Sequence, residues 1–328
     1  MNEREIRTIL VSGANGFVGM HLRALLAASW RVRGAVRREE AVALLPSGVE
    51  PVVFRDPAAR AGWCRATKGV DAVVHLIAKT HSPPRQEASS SSAFQNANVT
   101  IASSLLEACV ENGVGRFVYL SSIKAVGEGG PTAYDESTPC TSQDAYGTTK
   151  REAELVVAKT SQETGIDAVV LRAPLIYGPG VKGNFLQILK LVDRRFPFPI
   201  ARIHNERSMI YVGNLTSAIV TLLERDRFPE PVLGVADAGT PLSTQDLVRQ
   251  LGRLMGRKVV VFPAPELLLR LGGKLPGRQD LVSRLTGSLT VSAERIQRVL
   301  GWHAPFSVSE GLSRTVDWYL AGSRGGKR

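Results

Sequence analysis

The sequence predicts an α/β protein: a doubly wound parallel sheet followed by a smaller, mostly helical C-terminal lobe. Three observations predict it. Short apolar runs alternate with helical stretches through the first half of the chain. The runs are apolar throughout, as strands covered on both faces are. A glycine-spaced turn, Gly13, Gly16 and Gly19, follows the first run directly and opens the first helix. With 328 residues the chain is long enough for a large core and two lobes.

The elements follow in order. TILVSG (8–13) reads as a strand, GFVGMHLRALLAAS (16–29) as a helix, and WRVRGAV (30–36) as the second strand. VEPVVF (49–54) and DAVVHLIA (71–78) are strands, and VTIASSLLEACVENG (99–113) is a helix stopped by glycine. RFVYLSS (116–122) and DAVVLRAP (167–174) are strands, separated by the helix that contains YGTTK (146–150). Two polar, turn-rich stretches, 80–92 and 127–144, read as loops after strand C-termini, where open α/β sheets bind ligands. Beyond Pro174 the pattern is broken by Pro and Gly. SMIYV (208–212), a helix from Asn214 to about Glu224, and PVLGVAD (231–237) are expected back in the main sheet. The expected division is residues 1–174 with 207–238 as the dinucleotide-binding domain, 175–206 and 239–320 as the substrate lobe, and 321–328 as a disordered basic tail.

Composition narrows the partners. The chain is 44% hydrophobic and 22% charged, the balance of an ordinary soluble globular protein. A net charge of +11 suits anionic ligands such as nucleotides and phosphates. The basic residues are dispersed, apart from the tail and a cluster near Arg37, and no zinc-finger spacing occurs, which argues against nucleic acid. Cys64, Cys109 and Cys140 are odd in number and widely spaced, so they read as reduced thiols with no metal set. No apolar run reaches the ~18 residues of a membrane span, and MNEREIR is no signal peptide. The expected location is the cytoplasm.

The glycine turn carries the first chemistry. Glycines after a strand and at a helix start let a pyrophosphate approach backbone N–H groups, with Phe17 and Val18 completing the turn. The second strand ends in Arg37-Arg38, where NAD-binding chains place an acid for the ribose 2′-hydroxyl. Guanidiniums match a 2′-phosphate, so the expectation is NADP(H), with NAD(H) the alternative. Glu39 and Glu40, just beyond, leave open a solvated charge pair. Asp56, after VVFR, is a candidate for the adenine amino group, and as a lone loop aspartate equally a candidate for a structural role. Tyr146 and Lys150 share a helix face at i and i+4, and an ammonium beside a phenol favours phenolate.

Together GANGFVG, the strand end Ser121-Ser122 and Tyr146-x-x-x-Lys150 resemble the extended short-chain dehydrogenase/reductases, whose sheet is the Rossmann type. LRAPLIYGPG and VLGWHAPFSVSEGLSRTVDWY extend the resemblance over nearly the whole chain. It implies that Tyr146 carries the proton, that Lys150 binds the nicotinamide ribose and lowers the tyrosine, and that Ser122 bonds the reacting oxygen. Asn98 matches the family's helix asparagine, although the position also suits a helix cap. Pro174 falls beside the cofactor. Family dehydratases follow the serine position with Asp-Glu; this chain has Ile123-Lys124, so dehydration is not expected. FVYLSSIKAVGE and NERSMIYVGNL resemble the branch of UDP-glucose 4-epimerase-like proteins and UDP-N-acetylquinovosamine dehydrogenases. That branch implies a UDP-sugar substrate, with Asn184 and Arg207 at the diphosphate and Thr80 and His81 near the sugar. It also implies a homodimer and a place in surface polysaccharide precursor synthesis. The expected reaction is NADP(H)-dependent reduction of a 4-keto UDP-sugar. The alternatives are a 4-epimerase with recycled NAD and a non-catalytic dinucleotide sensor.

Overall fold

The computed structural model describes residues 7–80, 87–264 and 287–325. Its strands, numbered along the chain, are β1 (Thr8–Ser12), β2 (Arg31–Val36), β3 (Val49–Val53), β4 (Ala72–His75), β5 (Arg116–Ser122), β6 (Asp167–Ala173), β7 (Leu175–Tyr177), β8 (Met209–Tyr211) and β9 (Val232–Gly234). The helices are α1 (Phe17–Leu26), α2 (Arg60–Thr67), α3 (Glu87–Gln95), α4 (Ile101–Glu111), α5 (Ala145–Thr164), α6 (Gly183–Asp193), α7 (Val212–Leu223), α8 (Thr244–Met255), α9 (Glu294–Leu300) and α10 (Val308–Gly325).

Seven strands form one parallel sheet in the order β3-β2-β1-β4-β5-β6-β9. Successive side chains point to opposite faces, so each strand feeds two cores. Ile9, Val11, Val74, Val118 and Leu171 pack on one face with α1 and α7. Leu10, Val73, Phe117, Tyr119 and Val170 pack on the other with α2, α4 and α5. Chain order reverses beside β1, which leaves a crevice at the carboxyl ends of β1 and β4. Helix α5 starts where Asp144 accepts the Gly147 N–H and stops at Gly165, whose φ of 75° suits glycine.

The doubly wound sheet is as expected; several elements differ. SMIYV does not rejoin the main sheet: β8 pairs with β7 in a separate two-stranded ribbon. Three-residue apolar runs carry no signal of which sheet they join. The ribbon is tied down by Asp237, which accepts from Tyr177 Oη at 2.8 Å, Tyr211 N at 2.9 Å and Asn214 Nδ2 at 2.7 Å. Asn214 also bonds the Phe306 carbonyl at 2.8 Å and accepts from its N–H at 2.9 Å, which fixes the segment before α10. The fourth strand ends at His75 rather than residue 78. Part of the expected 80–92 loop is helical from Glu87, because the chain runs through a π turn at Asn96–Thr100 into α4. The tail expected to be disordered is helical to Gly325, continuing α10 without a break; residues 326–328 lie outside the described residues. Among the described residues no helix is long and apolar enough to cross a membrane.

The glycine turn is built on close approach. Gly13 has φ +73°, and a Cβ on Gly19 would stand 2.2 Å from the Gly13 carbonyl oxygen and 2.9 Å from the Ala14 Cα. These are backbone atoms that cannot swing away. Gly19→Ala should therefore force α1 off β1, with a loss of about 1–3 kcal/mol typical of overpacking. Denaturant unfolding checks the stability, and a parallel titration with NAD(H) and NADP(H) should show weakened dinucleotide binding.

Candidate active site

Strand β5 delivers Ser122 to the carboxyl edge of the sheet, and α5 then passes over that edge. Gly147 makes the pass possible. A Cβ there would lie 2.3 Å from the Lys124 carbonyl oxygen and 2.0 Å from Ser142 Oγ. This close packing sets Tyr146, in the first turn of α5, beside Ser122. Burial pushes the Tyr146 hydroxyl up to about 12; a hydrogen bond with Ser122 works against this, and the nearby Asp144 charge adds to it.

Lys150 is one turn further along and only 1% exposed. Its Nζ donates to the Leu120 carbonyl at 2.6 Å and lies 4.1 Å from the centre of the Tyr119 ring. Burial brings its ammonium down to about 7, against the raising effect of Glu154. Ser122 is the group that opposes the rise of Tyr146.

Glu154 was not singled out from sequence. It is buried and accepts from Ser121 Oγ at 2.6 Å, Arg172 Nη2 at 2.8 Å, Arg172 Nε at 3.2 Å and Arg151 Nη1 at 3.2 Å. Its spacing of four from Lys150 was a readable signal. Asn98 sits in the π turn, fully buried, rather than at a helix cap. Its Oδ1 accepts from Lys79 N at 2.8 Å, and its Nδ2 donates to Thr149 Oγ1 at 3.0 Å and Lys79 O at 3.2 Å. π turns inside helices recur at functional sites because they re-aim a side chain. Behind Lys150, His75 pairs with Ser12 Oγ at 2.7 Å, and burial first, then the Lys150 charge, holds it down to about 3. The imidazole is therefore neutral.

At the other end of the crevice lies an open cleft of about 760 Å³ lined by Asn15, Arg37, Arg38, Leu44, Val53 and Arg55, with Glu39 and Glu40 at its wall. Arg55 was missed from sequence; it follows β3, a strand away from Arg37 and Arg38. The bare glycine backbone and this adjoining cleft fit a dinucleotide: one is shaped for a pyrophosphate, the other has room for an adenosine. Phe17 is half-buried edge-on to His21, Val18 is buried, and Pro174 is buried between β6 and β7. Asp56 is exposed, and its Oδ1 accepts the Ala58 N–H at 3.0 Å, closing its own turn.

The structure thus brings Ser122, Tyr146, Lys150 and Asn98 together. The expected substrate residues stand on separate segments. Thr80 is exposed, and Asn184 is half-buried in the first turn of α6. Arg207 donates to the Gly287 carbonyl at 2.8 Å. His81 lies outside the described residues. The three cysteines are free.

Residues 9–233 match the NAD dependent epimerase/dehydratase family. The chain belongs to this family. It is 31% identical to a UDP-glucose 4-epimerase of Vibrio cholerae over 324 residues, 96% of each chain. It is 26% identical to the N-acetyl-alpha-D-glucosaminyl-diphospho-ditrans,octacis-undecaprenol 4-epimerase of Escherichia coli O157:H7 over 326 residues, 94% of each. Among solved structures, MoeE5 in complex with UDP-glucuronic acid and NAD superposes with a TM-score of 0.76 at 25% identity, covering 96% of this chain and 99% of that one. UDP-glucose 4-epimerase from Thermotoga maritima, bound to UDP-glucose, gives 0.77 at 20% identity over 96% and 99%, a likeness of fold. This epimerase/dehydratase chain is accordingly an NAD-family oxidoreductase-type enzyme with a Rossmann-like sheet.

The Glu154–Arg172 pair underlies the site and can be tested apart from activity. Glu154→Leu strips the carboxylate from a guanidinium that is 3% exposed. Breaking a buried pair on one side is worth about 3–5 kcal/mol. Denaturant titration should show that loss, with Lys150 left without its charge partner.

Proposed function

We propose that the protein reduces the 4-keto group of a UDP-sugar, using NADP(H), in the supply of precursors for surface polysaccharide. The observation that carries the chemistry is the convergence of Ser122, Tyr146 and Lys150 at the end of a glycine-turn crevice. Gly13, Gly16 and Gly19, with Arg37 and Arg38 toward the adenosine end, would hold the cofactor, which when bound would supply or accept the hydride. Tyr146 gives its proton to the oxygen that becomes an alkoxide, as a general acid. Ser122 stabilises that oxygen by hydrogen bonding and, by bonding Tyr146 as well, keeps the donor aligned. Lys150 holds the nicotinamide ribose. Asn98 fixes Thr149, the neighbour of Lys150, and so the register of α5. Asn184 and Arg207 are the proposed diphosphate contacts.

The direction of the reaction is argued from the adenosine end. A reductase exchanges its cofactor every cycle, and three arginines at that cleft favour the phosphorylated dinucleotide. Lys124 also stands where a dehydratase of the resembled type has an acid. A second reading, 4-epimerisation with retained NAD, is favoured by the 31% identity to the Vibrio cholerae epimerase over nearly all of both chains. The same three residues serve it, by removing and returning hydride and proton at one carbon. A dinucleotide sensor without catalysis is disfavoured because Tyr146 and Lys150 are both present.

Tyr146→Phe keeps the ring but has no proton to give. Turnover should fall by about 10²–10⁴-fold, with dinucleotide affinity nearly unchanged, as read by single-turnover rates and calorimetry. Turnover like that of the unaltered enzyme would remove Tyr146 from the mechanism.

Cofactor and direction are tested together. NADPH should bind more tightly than NADH, and Arg37→Ala with Arg38→Ala should narrow the gap by about ten- to a hundredfold. NADPH should be oxidised in step with a UDP-4-keto-6-deoxy-N-acetylhexosamine. Interconversion of UDP-glucose or UDP-N-acetylglucosamine epimers without added cofactor would establish the epimerase reading instead.

A further inference from the structure

Lys124 occupies a place that neither the proposed chemistry nor the fold requires of a lysine. Its ammonium pairs with Asp144 and, at 2.9 Å, with Glu128. Its backbone N–H donates to Ser122 Oγ at 3.3 Å. Its carbonyl oxygen is the atom against which Gly147 of α5 packs. One residue therefore touches the serine, the start of the helix that carries the tyrosine, and the carboxylate that caps that helix.

We infer that Lys124 is a positioning residue that sets the acidity of Tyr146 through Asp144. Asp144 lies two residues before Tyr146 and accepts the Gly147 N–H at the start of the same helix, and its negative charge raises the phenol. An anion there opposes formation of phenolate. The Lys124 ammonium, paired with that carboxylate, offsets its field and leaves the cap intact. The inference rests on Tyr146 being the proton carrier.

The remaining groups around the phenol leave this pair as the adjustable element. From β5 come Ser122, which bonds it, and Tyr119, whose hydroxyl burial holds protonated. From α3 comes the uncharged ring of Phe94, 6.3 Å away between ring centres, with the Lys79 ammonium 5.6 Å from the centre of the Phe94 ring. Further along α5, Lys150 is turned to Leu120 and Glu154 to Arg172. Glu128 is pushed up by burial. Burial also works against ionised Asp144, but Lys124 and the Gly147 N–H overcome it and hold that carboxyl below the usual range. The charge acting on Tyr146 from its own helix start is thus an aspartate that Lys124 both keeps ionised and offsets.

The test reads the tyrosine and not the reaction. The enzyme, saturated with oxidised cofactor, is labelled at the tyrosine ζ-carbon, and the Tyr146 resonance is assigned by its loss in Tyr146→Phe. The pH titration is then followed in the unaltered enzyme and in Asp144→Asn, Lys124→Met and Lys124→Arg. Asn retains the cap without the charge, so Asp144→Asn should titrate lower by about half to one pH unit. Lys124→Met should titrate higher by a similar amount, and Lys124→Arg should follow the unaltered enzyme. The titrating limb of the rate–pH profile should move in the same sense. An unmoved midpoint in Asp144→Asn, or in a Lys124→Met protein whose circular dichroism is native, overturns the inference. If the lysine variants fold poorly, Asp144→Asn alone decides it. Failure of the proton-carrier reading is separate: it shows as retained turnover in Tyr146→Phe, whatever the titrations do.

Discussion

The burial of one ammonium governs the middle of this structure. Lys150 is placed where the sheet's carboxyl edge meets α5, over Tyr119 on the face that also buries Phe117 and Ala153. An ammonium in such surroundings is strongly disfavoured unless acceptors reach it. The chain supplies the Leu120 carbonyl, the face of Tyr119 and, one turn along α5, Glu154. Glu154 is then itself a buried charge, and Arg172, Ser121 and Arg151 are needed to satisfy it. His75, across from the lysine, is kept neutral so that no second cation competes. A polar seam thus crosses an otherwise apolar core, and the residues that satisfy it come from β4, β5, β6 and α5. Their mutual dependence fixes how α5 lies on the sheet, and with it the position of Tyr146 beside Ser122.

What was legible in the sequence follows from how local each signal is. The strand, glycine turn and helix of residues 8–26 are encoded within one short stretch, and so is the Tyr146–Lys150 face of α5. The supporting shell is not. Glu154 could have been read from its spacing to Lys150, yet its importance comes from Arg172 on a different strand. Gly147 reads as an indifferent helix residue until the Lys124 carbonyl is found against it. Asn98 resembles a cap because the π turn that holds it leaves no mark in propensity. The turn is made by contacts to Lys79 and Thr149, far away in the chain. The same reason explains β8. Met209–Tyr211 is apolar enough for any sheet, and its partner is chosen by the Asp237 network and not by its own pattern.

The adenosine end poses a different question, one of opposed charges at close quarters. Residues of β2 pair with β3 up to Val36, so Arg37 is the first residue free of the ladder, and Arg38 and Glu39 lead into a short 3₁₀ turn over Glu39–Leu44. The cleft wall therefore carries both signs, in contrast to the single acid that marks a ribose-hydroxyl site. A phosphate placed there is repelled by Glu39 and Glu40 and attracted by Arg37, Arg38 and Arg55. In open solvent each of these terms is screened by salt, but direct guanidinium–phosphate hydrogen bonds survive screening, whereas repulsion between unbonded anions does not. The guanidiniums also outnumber the carboxylates, and they approach from two strand ends. The balance for a phosphorylated dinucleotide therefore rests on geometry more than on net charge: it requires two of the three guanidiniums to reach the same phosphate, which the placement of Arg55 beyond β3, level with Arg38 beyond β2, is suited to do.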